Sequence, residues 1–576
     1  MSYAPGAGLA LRIPLWRTRV ALVVLALAFI ALLGRAFYLQ GMHDGFLRQK
    51  GESRYSRVIE ISATRGRVLD RNGEPLAIST PVKSVWAIPG DVELEGGKLQ
   101  KLSALLELDP AEIRRRLSSD KEFVFVKRQI SPEVAERVEE LAIPGLYQQR
   151  EYRRYYPAGE VMAHVLGFTG IDDSGQEGIE LAHQATLNGR QGSRRVIKDR
   201  LGHIVEDVES IKAPQEGQDV TLAIDGKIQY LAFRQLKAAV EAHKAKAGGI
   251  VVLDVQSGEI LALANLPSFN PNNRGKLTGA QVRNRVLTDT FEPGSTLKPF
   301  TVALAIETGK VRPDTVIDTG PGIMSIGPAT IRDAHQGGRM TVAQVIQKSS
   351  NVGAAKIALS LSAFDMWANF ERIGFGAVPD IDFPGAVTGK LRPYKSWRPI
   401  EQATMAYGHG ISVSLIQLAR AYTVFARDGQ LVPVTLTKAD GPPQTKFVMT
   451  AETARAVRSM LELAVQPGGT APRAQIMGYR VAGKTGTAHK QENGGYALNR
   501  YVSSFVGLSP ASNPRLIVAV MIDEPSDGQY YGGAVAAPVF AEVMAGALHS
   551  LAVPPDAPMQ PIRLPSVDEP EIRENV

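Results

Sequence analysis

The stretch Phe291-Glu-Pro-Gly-Ser295-Thr-Leu-Lys298 decides how the fold of this 576-residue chain is interpreted. It contains a Ser-x-x-Lys motif, which is followed further along the chain by Ser349-Ser-Asn351 and then by Lys484-Thr-Gly486. Each of these motifs is common by itself. Their occurrence in this order matches a known catalytic set in which the first serine is the nucleophile. The sequence therefore predicts an enzyme that transfers an acyl group through Ser295.

Ser295 and Lys298 are predicted to begin a helix, because a Glu-Pro-Gly turn precedes them and residues 296–308 have helical character. We expect the serine hydroxyl at a helix N-terminus, where unpaired N–H groups and the helix dipole favour negative charge. Both side chains would share one face of that helix. A serine hydroxyl needs a base to remove its proton. Lys298 can be that base only when neutral, so its pKa must fall from about 10.4 towards about 7. Burial and a second cation, which Lys484 could supply, both act in that direction.

Ser349 and Asn351 lie in a predicted polar connection between two helices, the first of which spans 341–348. A serine or asparagine in such a connection is usually an N-cap. Beside a Ser-x-x-Lys motif, we interpret Ser349 as a proton relay and Asn351 as the residue that orients Lys298 or a substrate amide.

The third motif lies in an extended segment, 479–487, that we predict to be an edge strand. Gly486 would allow another backbone to approach closely, and the strand could bind an extended peptide by strand addition. The backbone N–H groups of Ser295 and Thr487 would form an oxyanion hole, where the loss of one donor can reduce the rate by ~10²–10³. The substrate-binding residues predicted here are Lys484, Thr485, Gly486 and Thr487.

Residues 478–485 also match the phosphate-binding pattern G-x-x-x-x-G-K-T. That loop must follow a buried strand and open a helix. Here residues 473–477 make a poor strand, and Gln491–Gly495 does not favour a helix. We therefore expect that the match is accidental and that the protein binds no nucleotide.

The N-terminal region predicts a membrane anchor at residues 20–39, which are apolar except for Arg35. Twenty helical residues span about 30 Å, the thickness of the bilayer hydrocarbon. Arg12, Arg17 and Arg19 precede the segment, so the positive-inside rule places residues 1–19 in the cytoplasm and exports the rest. A cleaved signal peptide is the rival interpretation, because Gly34-Arg-Ala36 has the small-x-small form of a cleavage site.

The composition excludes several functions. The chain has no cysteine and nine scattered histidines, so we expect neither a metal site nor a disulfide. Its net charge of +7 is small for its length and is spread along the chain, which favours an ordinary solvated surface over nucleic-acid binding. Residues 554–576 are rich in Pro, Asp and Glu and are predicted to be a disordered tail.

The region before the catalytic motifs contains clusters with turn-forming residues at Arg65–Gly73, Arg154–Gly159 and Gly175–Glu180. They suggest a mixed α/β domain built of discontinuous pieces at residues 40–217, whose charges we interpret as structural. A helix at Gly226–Ala242 is then predicted, followed by a hairpin, and late strands occur at Val502–Leu508 and Leu516–Ile522. The hairpin pairs Gly249–Leu253 with Glu259–Ala264. This order predicts an α+β domain at residues 218–553, an antiparallel sheet flanked by helices.

These motifs together give the chain its resemblance to a known family. It resembles the class B penicillin-binding proteins, and among them the division-type (FtsI-like) peptidoglycan transpeptidases, from the anchor to Phe540. The residues that carry the resemblance are the Arg65–Gly73 cluster, Phe291–Pro299, Tyr407-Gly-His-Gly410, and Tyr530-Tyr-Gly-Gly-Ala-Val-Ala-Ala-Pro538.

The resemblance implies a penicilloyl-serine-transferase fold on an α/β pedestal, with a cytoplasmic-membrane anchor and a periplasmic catalytic domain. Ser295 would attack donor stem peptides at D-Ala-D-Ala, and β-lactam antibiotics would acylate the same serine. Lys298 would be the base, Ser349 and Asn351 the relay and the positioner, and Lys484, Thr485 and Thr487 would hold the substrate carboxylate. The implied partners are a glycan polymerase of the SEDS type and other membrane proteins of the division complex. No cofactor is implied.

Other interpretations remain open on the sequence alone. A D-Ala-D-Ala carboxypeptidase or endopeptidase, or an elongation-type transpeptidase, would use the same residues. A non-catalytic division scaffold or a β-lactam sensor would not need all three motifs intact. A class A β-lactamase would need a deacylating Glu, usually in a Glu-x-x-x-Asn loop, and residues 352–483 contain no such spacing.

Overall fold

The computed structural model describes residues 14–38, 56–61, 63–121, 123–198, 204–492 and 495–562. The strands are β1 (Ser56–Ile61), β2 (Val68–Leu69), β3 (Pro75–Ala87), β4 (Val124–Ile130), β5 (Leu146–Tyr155), β6 (Gly192–Lys198), β7 (Ile204–Lys212), β8 (Val220–Thr221), β9 (Ala247–Asp254), β10 (Ile260–Leu266), β11 (Val316–Asp318), β12 (Ile323–Ile326), β13 (Ala329–Arg332), β14 (Arg339–Thr341), β15 (Gln430–Leu431), β16 (Lys446–Phe447), β17 (Ala482–Glu492), β18 (Gly495–Ser509) and β19 (Leu516–Asp523).

The α-helices are α1 (Leu15–Phe37), α2 (Lys98–Leu106), α3 (Pro110–Leu117), α4 (Pro132–Glu139), α5 (Ala163–Leu166), α6 (Gly178–Ala182), α7 (Gln184–Leu187), α8 (Gly226–Ala242), α9 (Gly279–Val282), α10 (Arg285–Thr288), α11 (Lys298–Glu307), α12 (Val342–Gln347), α13 (Asn351–Leu359), α14 (Ala363–Ile373), α15 (Pro399–Met405), α16 (Leu415–Ala421), α17 (Thr423–Ala426), α18 (Ala451–Val465), α19 (Gly532–Val535) and α20 (Ala537–Ser550). Short 3₁₀ helices occur at Pro89–Asp91, Gly159–Val161, Gly294–Leu297, Tyr394–Ser396 and Pro472–Ala474.

Helix α1 is apolar between Arg19 and Arg35, and none of its residues is buried. Over the ranges that the structure describes, it is the one helix long and apolar enough to cross a membrane, with a mean hydropathy of 2.5. Its position agrees with the predicted anchor at 20–39, although residue 39 and the flanking Arg12 lie outside the described residues.

The chain forms two compact units. The first contains the described residues of Met1–Ala63, Val82–Glu151 and Arg190–Gln215, and the second contains Thr64–Pro81, Tyr152–Gly189 and the rest of the chain from Glu216. Two segments of the predicted pedestal, 64–81 and 152–189, therefore belong to the unit that carries the catalytic motifs. The first unit includes the antiparallel sheet β1-β6-β7 and the pairing of β4 with Lys83–Ala87 of β3. A separate core there includes Val85, Leu102, Val126 and Val138.

The second unit is built around a five-stranded antiparallel sheet with the order β10-β9-β19-β18-β17. Every residue of β9, β10 and β19 is buried, because both faces of the sheet are covered. On one face Val252 and Val518 pack in a cluster with Phe233 of α8 and Phe540 of α20. Val251 belongs to the second, larger cluster, which includes many residues of the helices around the catalytic motifs. The predicted helix Gly226–Ala242, the β9–β10 hairpin and the two late strands are confirmed.

The clusters at Arg65, Arg154 and Glu180 form a buried ionic centre in the second unit. The Glu180 carboxylate accepts hydrogen bonds from Arg65 Nε and Arg154 Nε, each at 2.6 Å, and all three side chains are almost fully buried. A carboxylate held between two guanidinium groups is satisfied on both oxygens, which makes its burial tolerable. These charges tie distant chain segments together, as their interpretation as structural residues requires.

The C-terminal tail is described as far as residue 562. Asp556 accepts a hydrogen bond of 2.7 Å from the backbone N–H of Arg480 and one of 2.6 Å from the Ser512 hydroxyl. Asp556, at the start of the segment predicted to be disordered, is therefore hydrogen-bonded to other parts of the second unit. Residues 563–576 lie outside the described residues.

Candidate active site

Ser295 lies in the 3₁₀ helix Gly294–Leu297, and Lys298 is the first residue of α11. The helix predicted over 296–308 is thus confirmed in position but wrong in type at its start. Pro299 is in the first turn of α11, where the missing N–H is tolerated. In a 3₁₀ turn, residues i and i+3 eclipse each other, which brings the Ser295 and Lys298 side chains together. Both are buried, Lys298 completely.

The side-chain nitrogen of Lys298 is at the centre of a hydrogen-bonded cluster. Its Nζ lies 2.6 Å from Ser295 Oγ and 2.7 Å from Asn351 Oδ1. It also lies 2.9 Å from the Ser349 carbonyl oxygen and 3.0 Å from Ser349 Oγ. The structure therefore brings together all four residues that the sequence predicted to be catalytic.

This geometry suits proton transfer from serine to lysine. Four acceptors lie within hydrogen-bond distance of Lys298 Nζ, namely two hydroxyls, a carbonyl and an amide, and these four are uncharged. A neutral amine could donate to Asn351 and Ser349 while its lone pair accepts the proton of Ser295.

The connection that carries Ser349 and Asn351 is strained. Ser349 has a positive φ of 58° between α12 and α13, which is rare for a residue with a side chain. Both its carbonyl and its hydroxyl contact Lys298 as a result. Ser350 is the N-cap of α13, and its Oγ accepts a hydrogen bond of 2.8 Å from the Gly353 N–H. Strain of this kind persists where the surroundings fix it and is common at active sites.

Asp333 fixes that connection, and the sequence motifs did not reveal it. Its carboxylate accepts hydrogen bonds from Ser350 Oγ at 2.7 Å and from the Val352 N–H at 2.9 Å. The preceding Arg332 carbonyl accepts a hydrogen bond of 3.3 Å from Asn351 Nδ2, which orients the amide with its oxygen towards Lys298. Asp333 follows a small hairpin, β12–β13, and no local pattern links it to the Ser-x-Asn motif.

The Lys-Thr-Gly motif lies on β17, at the edge of the five-stranded sheet, as the sequence predicts. A Cβ atom added at Gly486 would lie 2.7 Å from the Pro293 carbonyl oxygen, and one added at Gly294 would lie 3.2 Å from the Thr487 carbonyl oxygen. Strand β17 therefore passes directly beside the turn that carries Ser295. Gly486 makes this approach possible, as expected.

The other residues of this motif are buried. Lys484 Nζ donates to Thr485 Oγ1 at 3.0 Å, which in turn lies 2.9 Å from Thr470 Oγ1. Thr487 Oγ1 accepts a hydrogen bond of 3.1 Å from the Gly532 N–H. Because β17 continues into the β17–β18 hairpin, residues 478–485 do not form the strand, loop and helix that a phosphate-binding loop requires.

His409 and Tyr407 complete the surroundings of Lys298. The Tyr407 ring centroid lies 5.7 Å from Lys298 Nζ, and His409 packs against Tyr407 with ring centroids 5.1 Å apart. Burial lowers the pKa of His409 to about 4, and a positive charge on Lys298 or on His489 acts in the same direction. His409 is therefore neutral at physiological pH. Both residues occur in Tyr407-Gly-His-Gly410, a segment that carries part of the family resemblance, but the sequence predicted no function for either of them.

Comparisons with known proteins identify the relatives of this chain. Residues 248–545 match the model for the penicillin binding protein transpeptidase domain, and residues 60–222 match that for the penicillin-binding protein dimerisation domain. The chain is 44% identical over 548 residues to the probable peptidoglycan D,D-transpeptidase PenA of Neisseria gonorrhoeae, covering 94% of each chain. It is 40% identical over 542 residues to the peptidoglycan D,D-transpeptidase FtsI of Escherichia coli strain K12, covering 93% of this chain and 91% of that one.

A solved structure gives the same result for the catalytic part. The transpeptidase domain of Burkholderia pseudomallei penicillin-binding protein 3 is 51% identical and superposes with a TM-score of 0.55, covering 58% of this chain and 98% of that one. A serine and a lysine in contact beside an edge strand define a class of serine acyl-transferases. Within that class, the chain belongs to the penicillin-binding protein transpeptidase family.

Proposed function

We propose that this protein is a peptidoglycan D,D-transpeptidase that cross-links stem peptides during septal cell-wall synthesis. The observation that carries the proposal is the 2.6 Å contact between Lys298 Nζ and Ser295 Oγ, within a cluster that Ser349 and Asn351 complete. The names of the relatives support the reaction, and the septal role rests on the resemblance of the sequence to the division-type transpeptidases.

The acylation step uses the chain's own residues. Ser295 Oγ attacks the carbonyl carbon of the penultimate D-Ala in a donor stem peptide, and its proton passes to neutral Lys298. The bond to the terminal D-Ala nitrogen then breaks, and that nitrogen takes up the proton, with Ser349 as the relay. The products are an acyl-serine ester and free D-Ala. Lys484, Thr485, Gly486 and Thr487 are proposed to bind the donor along β17, with its carboxylate on the Lys-Thr-Gly motif.

The second step resolves the ester. An amine of an acceptor stem peptide attacks the ester carbonyl, its proton passes to Lys298, and the Ser295 oxygen leaves and is protonated again. A new amide joins the two peptides. A β-lactam antibiotic would acylate Ser295 by the first step alone.

The test is covalent labelling by a fluorescent penicillin. We expect Ser295→Ala to abolish labelling while the melting temperature stays close to that of the wild type. Ser526→Ala removes an exposed hydroxyl that donates to the Lys244 carbonyl, and it should label normally. Stoichiometric labelling of Ser295→Ala, measured by intact mass, would disprove the assignment. Release of D-Ala from stem peptides, with and without an acceptor amine, distinguishes a transpeptidase from a carboxypeptidase.

We also propose a single-pass anchor in the cytoplasmic membrane with the catalytic domain in the periplasm. Because the chain has no cysteine, Ser2→Cys and Ser550→Cys each introduce a unique thiol. In cells with a permeabilised outer membrane, an impermeant maleimide should label only Ser550→Cys. Labelling of Ser2→Cys before lysis would contradict this topology.

The partners proposed for this protein are a SEDS-type glycan polymerase and other division-complex membrane proteins. Their basis is the family resemblance. Co-purification of the polymerase with the detergent-solubilised full chain would test the first of them.

A further inference from the structure

Glu292 links three elements around the nucleophile. It lies three residues before Ser295, and the residue is buried, with 6% of its surface exposed. Its Oε1 accepts hydrogen bonds of 2.7 Å from both the Gly410 N–H and Gln491 Nε2. The Tyr496 hydroxyl lies 3.1 Å from Oε2 and 3.2 Å from Oε1.

The groups that donate hydrogen bonds to Glu292 lie on different structural elements. Gly410 belongs to the loop that follows Tyr407, the residue whose ring faces Lys298. Gln491 and Tyr496 face each other as a paired position near the turn of the β17–β18 hairpin. Glu292 directly precedes Pro293 and Gly294 in the chain, and the backbones of these two residues pack against Gly486 and Thr487. Glu292 therefore connects the far end of β17 to the turn that carries Ser295.

This connection lies on the path of an extended substrate. The inference rests on the proposed function, in which the donor carboxylate lies at the Lys-Thr-Gly motif of β17. The rest of the donor must then extend past Thr487 towards Gln491, because β17 continues in that direction. Strand addition aligns such a peptide by backbone hydrogen bonds along the edge. The position of this end of the strand thus affects how the scissile carbonyl is placed.

A buried acid could instead be only a structural residue. Burial raises the pKa of Glu292, while the hydrogen bonds from Gly410 and Tyr496 oppose the rise. Its donors, however, are not all buried, since the Tyr496 side chain is half exposed and Gln491 is exposed. A carboxylate that served the core alone would gain little by fixing an exposed hairpin.

We propose that Glu292 is a positioning residue that holds the β17–β18 hairpin against the nucleophile turn and thereby selects donors with an extended acyl chain. A short donor needs only the Lys-Thr-Gly end of β17. A long donor also needs the end that Glu292 fixes. The residue acts through Gln491 and Tyr496 and does not contact the reacting atoms.

The experiment measures acylation of the detergent-solubilised full chain by two D-alanyl thioesters with the same thiol leaving group. One carries a benzoyl group on the D-Ala nitrogen, and the other carries the tripeptide of a stem peptide. Ser295 attacks the thioester carbonyl, the carbon–sulfur bond breaks, and the thiol takes up the proton. Intact mass gives the rate of acyl-enzyme formation at several donor concentrations.

We expect Glu292→Ala to lower acylation by the long donor about tenfold or more, because misplacement of a bound substrate has large effects on rate. The change should appear in the maximal rate of acylation as well as in the half-saturating donor concentration, and acylation by the benzoyl donor should change much less. Glu292→Gln keeps an oxygen for Gly410 and Gln491 and should stay close to the wild type. Tyr496→Phe removes one exposed donor and should shift donor preference in the same direction without affecting folding.

The matched control is Glu307→Ala. Glu307 ends α11, and its carboxylate also accepts several hydrogen bonds, from the Thr450 N–H and from the hydroxyls of Thr450 and Thr453. It should acylate with both donors as the wild type does. Equal losses with both donors in Glu292→Ala, or no loss with either, would overturn the proposal. If the wild type itself is acylated by neither donor, the proposed function fails, which is a different outcome.

Discussion

Lys298 is buried completely, and its Nζ lies 2.6 Å from the Ser295 hydroxyl oxygen whose proton must be removed. An arginine at this position could still donate hydrogen bonds, but its charged guanidinium group could not accept the proton of Ser295. We therefore predict that Lys298→Arg folds but acylates with penicillin ~10²–10⁴ times more slowly, the usual contribution of a general base. The arginine side chain stays protonated in proteins.

The measurement is a time course of fluorescent-penicillin labelling, with Lys310→Arg as the control because Lys310 is exposed. Labelling of Lys298→Arg within tenfold of the wild-type rate would show that another group removes the serine proton. The contact between Ser295 and Lys298 was predictable from their spacing of three residues. Asp333 was not, because its bonds to Ser350 and Val352 join parts of the chain that no short motif connects.

Asp173 is predicted to make stability depend on pH. It lies beside the buried Arg65–Glu180–Arg154 centre, and burial raises its pKa from 3.8 to about 6 against the attraction of both arginines. Between these two pH values the Asp173 carboxyl ionises in the unfolded chain but stays mostly protonated in the folded chain. The fold therefore loses stability as pH rises through this window and does not recover it above.

Asp173→Asn removes this loss, because the amide resembles the protonated acid. We expect its melting temperature to exceed that of the wild type at pH 7.5 and to match it near pH 4. Asp120→Asn, at an exposed position, should show no such pH-dependent difference. A gain that is the same at both pH values would mean that ionisation of Asp173 is not its cause.

At the scale of elements, the approach of β17 to the nucleophile turn depends on Gly486. A Cβ there would lie 2.5 Å from Ser504 Oγ and 2.7 Å from the Pro293 carbonyl oxygen. The hydroxyl can rotate away but the backbone oxygen cannot, so the strand and the turn must separate. We predict that Gly486→Ala destabilises the protein by about 1–3 kcal/mol and strongly slows penicillin labelling. Gly279→Ala, where no atom lies within 4 Å of the added Cβ, should leave both unchanged.

The elements themselves were largely predictable, and the exceptions have local causes. The edge strand, the β9–β10 hairpin and the helix–helix connection at Ser349 all follow from glycine placement and apolar patterning. The 3₁₀ geometry of Gly294–Leu297 does not, because a 3₁₀ and an α-helical start have the same residue preferences over one turn. The hairpin contacts of Glu292 also escaped prediction, since they depend on the β17–β18 register.

At the scale of the whole molecule, the sequence located the membrane helix and the catalytic region, but not how the chain divides. Residues 64–81 and 152–189 precede the catalytic motifs and yet fold in the same compact unit. Residues that bond to each other in this unit, such as Arg65 and Glu180, are more than a hundred positions apart in the chain. The order of segments along the chain does not indicate such a unit, because its contacts are set by the tertiary fold.

The last prediction concerns the fate of the acyl-enzyme. Hydrolysis of a penicilloyl ester needs a base that activates water, and a class A β-lactamase uses a Glu for this step. Residues 352–483 contain no Glu-x-x-x-Asn spacing, and Glu292, close to Ser295 in sequence, already accepts hydrogen bonds from Gly410, Gln491 and Tyr496. Lys298 is the base proposed for the acceptor amine, and without a further base placed to activate water, hydrolysis should be ~10²–10⁴ times slower than in an enzyme that has one. We therefore expect the adduct formed with one equivalent of benzylpenicillin to persist for many minutes. A time course of intact-mass measurements checks this expectation. Loss of the adduct within seconds, with multiple turnovers of the drug, would instead indicate a β-lactamase.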